Sequence, residues 1–345
     1  MNATSLEAAF RTLDEARQTG DSSQMAQALI NHASTLASLN YFDEARTAMD
    51  EAAATHGQMQ QAIDQATCLQ YAARLSRLAG DLPGAYNRIM AATQIVPPDH
   101  PLTLPALIEL GEIAIMSGNG IEAAQYFTDA IAQAQALQHT DLDIKHPLDR
   151  RARAFMLAGL HDEALADLET LQRMLIADGD MPAATKFALD QATLLHMIGR
   201  NAEAHRRSDD ALTWAEEGQN AYALADISLL KATLALDDQN LENALNAALH
   251  ARHYALEAVV PHFYVAASLA LAELYDLVGD RYASYEALAT GYSTLTDLVG
   301  DDLSQDAFNP KLIEKREQWG AEEFDAVKAE YETARRKKAK RRTKP

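Results

Sequence analysis

The sequence has a single cysteine and few of the residues that favour strands or mark linkers. Cys68 is the only cysteine in 345 residues, so the chain forms no internal disulfide and offers no pair of thiols to a metal. We interpret Cys68 as a small buried apolar residue. Aromatic residues make up 6% of the chain, and its 15 glycines and 10 prolines form no linker-like stretch. This composition predicts an all-α protein.

Long apolar runs are absent as well. No stretch approaches the roughly 18 apolar residues that a helix needs to cross a bilayer. The N-terminus, MNATSLEAAFRTLDEARQTG, has neither the basic leader nor the apolar segment of an export signal. We therefore expect a soluble, cytoplasmic protein.

Basic residues are scarce over most of the chain and concentrated at its end. Residues 1–333 hold 22 basic and 50 acidic residues, a net charge of −28, which argues against duplex nucleic acid as a partner of this acidic body. Residues 334–345 contain eight basic residues and no acid: Arg335, Arg336, Lys337, Lys338, Lys340, Arg341, Arg342 and Lys344. Like charge at this density predicts a disordered basic tail.

Turn residues recur along the chain at intervals of 38–41 residues. They are Asn40, Gly80, Gly118, Gly159, Gly199, Gln239 and Gly279. Seven residues before each of them stands a small residue: Ala33, Ala73, Gly111, Ala152, Ala192, Ala232 and Ala272. Two further rows follow the turns, Ala45, Ala85, Ala123, Ala164, Ala204, Ala244 and Ser284, then Ala52, Ala92, Ala130, Leu171, Ala211, Ala251 and Gly291. Small side chains at fixed offsets predict closely packed helix pairs.

This pattern resembles the tetratricopeptide repeat (TPR), which has a small residue in its first helix, a glycine-like turn, and alanine, large apolar and alanine positions in its second. Leu110, Gly111, Gly118, Ala123, Phe127 and Ala130 carry the likeness best. The period of about 40 residues is longer than the 34 of the consensus. The resemblance implies a right-handed α-solenoid of about seven helix pairs over residues 23–300. We expect a capping helix at 1–22 and capping helices at 301–333, since a terminal repeat would otherwise expose its stacking face.

Signatures of catalysis and of bound cofactors are missing. Gly118-Asn119-Gly120 lacks the lysine of a phosphate-binding loop. His250 and His253, with His262 nearby, form the only helical histidine pair, and we predict no metal site there. No serine or cysteine stands in a recognisable nucleophile setting. We therefore expect neither an enzyme nor a cofactor.

In the family that the chain resembles, the first helix of each pair lines a concave groove. Carried over by offset, the resemblance implies a partner-binding groove lined by Arg74, Arg77, Ile108, Glu112, Ile115, Met116, Arg153, Met156, Leu189, Thr193, His196, Met197 and Leu229. Apolar positions and a few arginines suit a bound peptide or amphipathic helix. Tighter winding of the longer helices would instead bury the methionines.

The resulting hypothesis is a non-catalytic scaffold or adaptor for protein-protein interaction. The alternative is a regulatory sensor, in which a peptide or small ligand in the groove switches a partner protein. For the basic tail we favour docking on the acidic body of its own chain or of a second copy over an external anion such as RNA, DNA or a membrane. Homo-oligomerisation is therefore left open.

Overall fold

The computed structural model describes residues 3–136 and 144–342 of the chain. Within these residues it consists of 17 α-helices without a strand, which confirms the all-α prediction. None of the described helices is long and apolar enough to span a bilayer. In chain order the helices are α1 Ala3–Thr19, α2 Ser22–Ser38, α3 Phe42–Gln58, α4 Ala62–Leu78, α5 Leu82–Ile95, α6 Thr103–Met116, α7 Gly120–Ala136, α8 Lys145–Leu157, α9 His161–Ala177, α10 Met181–Met197, α11 Asn201–Glu217, α12 Ala221–Asp237, α13 Leu241–Glu257, α14 Pro261–Leu277, α15 Arg281–Val299, α16 Asp301–Trp319 and α17 Ala321–Arg342.

The turn residues found by periodicity all adopt a left-handed backbone. Asn40, Gly80, Gly118, Gly159, Gly199, Gln239 and Gly279 have positive φ angles. So do Gln60, Gly179, Gln219 and Val259, which follow the second helix of a pair, and Gly20, which follows α1. The chain thus also turns in this way after α3, α9, α11 and α13, whereas α5 ends at Val96 with a φ of −106°. The sequence pattern marks only the first turn of each pair.

Asp81 takes part both in the turn that ends α4 and in the cap that begins α5. In the turn after α4 the amide of Gly80 donates to the carbonyl of Arg77 at 3.0 Å, and the amide of Asp81 donates to Ser76 at 2.8 Å. These two bonds close the helix end in a Schellman motif. The Asp81 carboxylate then accepts the amide of Gly84 at 2.9 Å and so caps α5. The same capping role falls to Asp21, Asp180, Asn220, Asn240 and Asp280.

The three rows of small residues lie between packed helices. All of them are buried, including Ala33, Ala73, Ala152, Ala192, Ala232 and Ala272, and Gly111 in the third pair. A Cβ atom on Gly111 would lie 2.5 Å from Cζ of Phe127, which is fully buried on α7. The absence of a side chain at 111 is therefore what lets the ring of Phe127 reach the backbone of α6.

Contacts divide the chain into two units, Met1–Leu171 and Gln172–Pro345, whose boundary falls inside α9. In the first unit α4 contacts α6, and α6 contacts α8. In the second, α10 contacts α12, α12 contacts α14 and α14 contacts α16. We call the surface formed by α4, α6 and α8, and separately by α10, α12 and α14, the even-helix face of each unit. These are the first helices of the pairs, which the resemblance assigns to the groove.

At the two ends of the chain, helices pack on the neighbouring pairs. Leu13 of α1 is buried in the core beside Leu29 of α2. In the second unit Phe324 and Tyr331 of α17 are buried against Tyr285 of α15. Helix α17 continues to Arg342, so the backbone is helical where disorder was expected from residue 334 onward. Residues 343–345, with Lys344, lie outside the described residues, as do the side chains of Lys338, Lys340, Arg341 and Arg342.

Candidate functional site

The even-helix face of the first unit exposes half of the side chains expected in the groove. Arg74, Met116, Arg153 and Met156 are exposed, whereas Arg77, Ile108 and Ile115 are half-buried. Glu112 is the exception, since it is buried. The offsets taken from the repeat family thus lead mainly to accessible positions in this unit.

Apolar side chains form an exposed row at the ends of three successive even-numbered helices. The exposed fractions are 46% for Leu78 on α4, 51% for Met116 on α6, and 36% and 48% for Met156 and Leu157 on α8. Leu78 is absent from the set chosen from the sequence, although it stands two residues before its turn glycine, as Met116 and Leu157 do before theirs. That shared offset was the signal that could have found it.

Two ion pairs connect neighbouring helices on this face. Arg77 of α4 donates through Nε to Oε1 of Glu109 on α6 at 2.5 Å, and its Nη1 lies 3.9 Å from the Met116 sulfur. Arg150 of α8 binds both carboxylate oxygens of Glu112 on α6. The side chains of Arg77 and Glu112 are only 14% and 12% exposed. The prediction that Glu112 binds a partner is therefore wrong. Its buried carboxylate is paired with Arg150, so its role is structural.

Two arginines of the predicted groove remain accessible to a partner in this unit. Arg74 is exposed on α4. The Arg153 side chain is 52% exposed, and its Nε lies 3.2 Å from Asp149 one helical turn away. An exposed ion pair of this kind contributes little to stability, so a partner carboxylate can compete for the guanidinium.

The second unit differs more from the expectation. Leu189 is only 8% exposed and belongs to an apolar core with Ala188, Ala211 and Ile227, so its assignment to the groove surface is wrong. Met197, at 70%, is the most exposed of the predicted apolar groove residues. Thr193 is also exposed, and Leu229 is half-buried. His196 is half-buried, with Nδ1 3.4 Å from Asp237 on α12.

A carboxylate that sequence reasoning missed lies on the same face. Asp226 of α12 is half-buried, and burial, followed by the nearby charge of Asp190, raises its pKa. His262 and Lys186 act in the opposite direction. Helices α10 and α12 of the second unit therefore place charges of both signs together, with His262 of α14 nearby.

Helix α16 is joined to α14, the last helix of this face, by several charged and polar contacts. Lys315 of α16 is buried, and its ammonium group lies 2.9 Å from Glu273 and 2.6 Å from Asp276, both on α14. Lys311 lies 2.6 Å from Glu273. Trp319 donates its indole N–H to Asp276 at 3.3 Å. Helix α16 thus lies beside α14 as the next even-numbered helix, and these ion pairs connect the two.

Within the residues that the structure describes, neither a metal-binding cluster nor an exposed thiol is present. These residues include no group of three or more His, Cys, Asp or Glu side chains able to hold a metal ion. His253 has a carboxylate at helical spacing, Glu257, at 3.9 Å. Cys68 is buried, and burial, with a smaller effect of Asp64, raises its pKa to about 11. A thiol with that pKa is protonated near neutral pH.

No protein-family model and no curated protein sequence matches this chain. Solved structures do match it in fold. The C-terminal part of a TPR repeat-containing protein from Cytophaga hutchinsonii is 12% identical, with a TM-score of 0.55 over 81% of this chain and 98% of that one. The apo form of the quorum sensor NprR from B. thuringiensis is 11% identical, with a TM-score of 0.53 over 93% and 85%. Aspartyl phosphate phosphatase F from Bacillus subtilis is 9% identical, with a TM-score of 0.52 over 83% and 75%. The chain therefore has a TPR-like repeat fold, as the sequence pattern predicted.

Proposed function

We propose that this protein is a non-catalytic, cytoplasmic scaffold or adaptor that holds a segment of another protein on the even-helix face of its first unit. The observation that carries the proposal is the exposed row Leu78, Met116, Met156 and Leu157 with the accessible Arg74 and Arg153 beside it. Exposed apolar side chains grouped at one place on a surface are typical of interaction sites.

The chemistry of this surface defines the segment that it fits. Methionine side chains adapt to irregular apolar surfaces, so the row suits the apolar stripe of an amphipathic helix. Arg74 and Arg153 lie on α4 and α8, on the two sides of α6. The helix we propose therefore carries carboxylates flanking its apolar stripe, since arginine binds a carboxylate through two parallel hydrogen bonds.

Affinity capture with the full chain tests this proposal. Proteins retained by the wild type are compared with those retained by Met116→Glu, by Arg153→Glu and by a control, Leu256→Glu. Leu256 lies on the odd-numbered helix α13 and is 38% exposed, close to Met156 in accessibility. We expect a protein that is retained by the wild type and the control but lost from both variants with unchanged helicity. Retention of every captured protein by both variants would contradict the proposal.

A regulatory sensor is the second candidate function, favoured by the fold match to the quorum sensor NprR. In that role, occupation of the even-helix face would change the affinity for a further protein, which requires a ligand that binds the two states of the chain differently. Hydrogen exchange separates the two candidates. In a scaffold, binding of the partner segment slows amide hydrogen exchange only in α4, α6 and α8. In a sensor, binding also changes the exchange rates of helices remote from that face.

A further inference from the structure

A cleft of about 360 Å³ opens in the first unit between α5, the end of α6 and the beginning of α7. Its floor contains the buried Leu110 and Ile113 of α6. These residues differ from those that α6 contributes to the even-helix face, so the cleft is a separate site. Two tyrosines line it from different helices, Tyr86 on α5, which is 41% exposed, and the half-buried Tyr126 on α7.

A carboxylate is held in position within the cleft. Glu122 of α7 accepts hydrogen bonds on both oxygens, from the Tyr126 hydroxyl at 3.3 Å and from the Asn119 amide at 3.4 Å. Both donors are neutral, and Glu122 has no ion pair with a basic residue in the described parts of the chain. The cleft therefore combines an oriented negative charge, two aromatic rings and an apolar floor.

In two other pairs, the first and the fifth, a basic residue stands at the corresponding place. Six residues after its turn residue, the first pair has Arg46, whose Nη1 lies 3.3 Å from Asp81 in the next turn. The fifth pair has His205 at the same offset, with Nε2 2.8 Å from Asp238 beside the next turn. In the second pair this position is Tyr86, and the carboxylate near the next turn is Glu122. The second pair therefore has a tyrosine at the offset where these two pairs have a basic residue, and its cleft is open.

From this geometry we propose that the cleft binds the guanidinium group of an arginine side chain presented by a peptide. The planar guanidinium stacks on the tyrosine rings and donates to the Glu122 carboxylate, while the methylene groups of the arginine cover Leu110 and Ile113. Arginine suits this cleft better than lysine, whose ammonium group is more strongly hydrated and does not stack on an aromatic ring as a plane.

The test uses the full-length protein and two peptides that differ only in charge. Acetyl-Gly-Arg-Gly-amide is titrated into protein labelled at the isoleucine δ1 methyl groups, and acetyl-Gly-citrulline-Gly-amide serves as its neutral isostere. The signal followed is that of Ile113 in the cleft floor, identified by its loss in Ile113→Val. We expect saturable shifts of this signal and an affinity for the arginine peptide at least about fivefold higher than for the citrulline peptide.

Variants then assign the preference to the proposed groups. Glu122→Gln should remove the preference for arginine over citrulline, Tyr86→Ala should weaken binding of the arginine peptide, and Glu217→Gln, at an exposed position of α11, should change neither. Equal affinities for the two peptides in the wild type would overturn the proposal. So would a preference that survives in Glu122→Gln, or an Ile113 signal that fails to shift at millimolar peptide.

Discussion

Val259 shows how a single residue departs from the rule that its neighbours follow. It occupies the left-handed position of the turn after α13, with a φ of +54°, where other turns have glycine, asparagine or glutamine. A β-branched side chain is strained in this region, since its Cβ approaches the following carbonyl oxygen. Val259 is 64% exposed, so little buried contact compensates for the strain.

Val259→Gly should therefore stabilise the protein. Relief of the left-handed strain is worth about 1–2 kcal/mol, and the greater freedom of glycine in the unfolded chain offsets about 0.4–1 kcal/mol of it. We expect a net gain of about 1 kcal/mol in the free energy of unfolding, measured by urea denaturation. Val278→Gly is the matched control, because Val278 also lies at a helix end, with a φ of −86°, and has no such strain to lose. An equal gain in both variants would contradict this explanation.

Gly111 and Phe127 pack against each other in the third repeat, and the ring of Phe127 fills the space that a side chain at 111 would need. Because a Cβ at 111 would lie 2.5 Å from the Phe127 ring, Gly111→Ala should destabilise the protein by about 1–3 kcal/mol in thermal or urea unfolding. Adding Phe127→Leu should recover part of this loss, since it removes the atoms that clash. A double variant as unstable as the sum of the two single variants would show that the two positions do not share this space.

At the scale of helices, ion pairs connect neighbours on the even-helix face. Glu112→Gln leaves the partly buried Arg150 without its carboxylate partner, and we expect a loss of about 2 kcal/mol in the free energy of unfolding, below the cost for a fully buried pair. Arg153→Ala, which removes an exposed pair with Asp149, should cost about 0.5 kcal/mol or less. Similar losses in the two variants would show that the link between α6 and α8 contributes no more than a surface pair.

Attachment of α16 to α14 should depend on pH through Glu273. Burial raises the pKa of this carboxyl, but hydrogen bonds from Lys311 and Lys315 outweigh burial and leave the pKa below its ordinary value of 4.5. A carboxyl with a lowered folded pKa contributes stability above its unfolded pKa and loses it as the pH falls through the folded pKa. The difference in unfolding free energy between wild type and Glu273→Gln should therefore be constant above about pH 5 and shrink below about pH 4.5.

Urea titrations of both proteins across this pH range check the prediction. The fluorescence of Trp319, whose indole donates to Asp276, reports on α16 in a Trp214→Phe background. A difference that stays unchanged down to about pH 3 would show that the Glu273 charge does not hold the helix.

The helix pairs were predictable because their signals are local. Turn glycines such as Gly80 and Gly199, each with a small residue seven positions earlier, are visible in the sequence without knowledge of tertiary contacts. The structure has a turn at every predicted place. The second turn of each pair escaped notice where Gln60, Gln219 and Val259 replace glycine. Side-chain exposure was less predictable, since it depends on the neighbouring helix. Glu112 is hidden by Arg150, 38 positions away in the sequence, and nothing near Glu112 indicates that pairing.

At the scale of the whole molecule, the basic segment at the end of α17 opposes the acidic charge of the rest of the chain. Arg336 has a carboxylate, Glu332, 3.7 Å away. The sequence of residues 334–345 nevertheless holds eight basic residues and no acid, and like charges at this density repel one another. A polyanion or an acidic protein surface would relieve that repulsion. With a net charge of −28 over residues 1–333, the protein carries such a surface itself.

We therefore expect the segment to dock on the acidic body of its own chain or of a second copy, and salt to release it. Sedimentation of the intact protein and of a variant ending at Thr333, each at low and high salt, measures this. Once the screening length falls below about 10 Å, the intact protein should expand or dissociate into monomers, and the shortened variant should not respond. If neither protein responds and only the intact one binds RNA or anionic vesicles, the segment contacts an external anion. A salt response in the shortened variant alone would place the relevant charges in the body, because that variant lacks all eight basic residues of the tail.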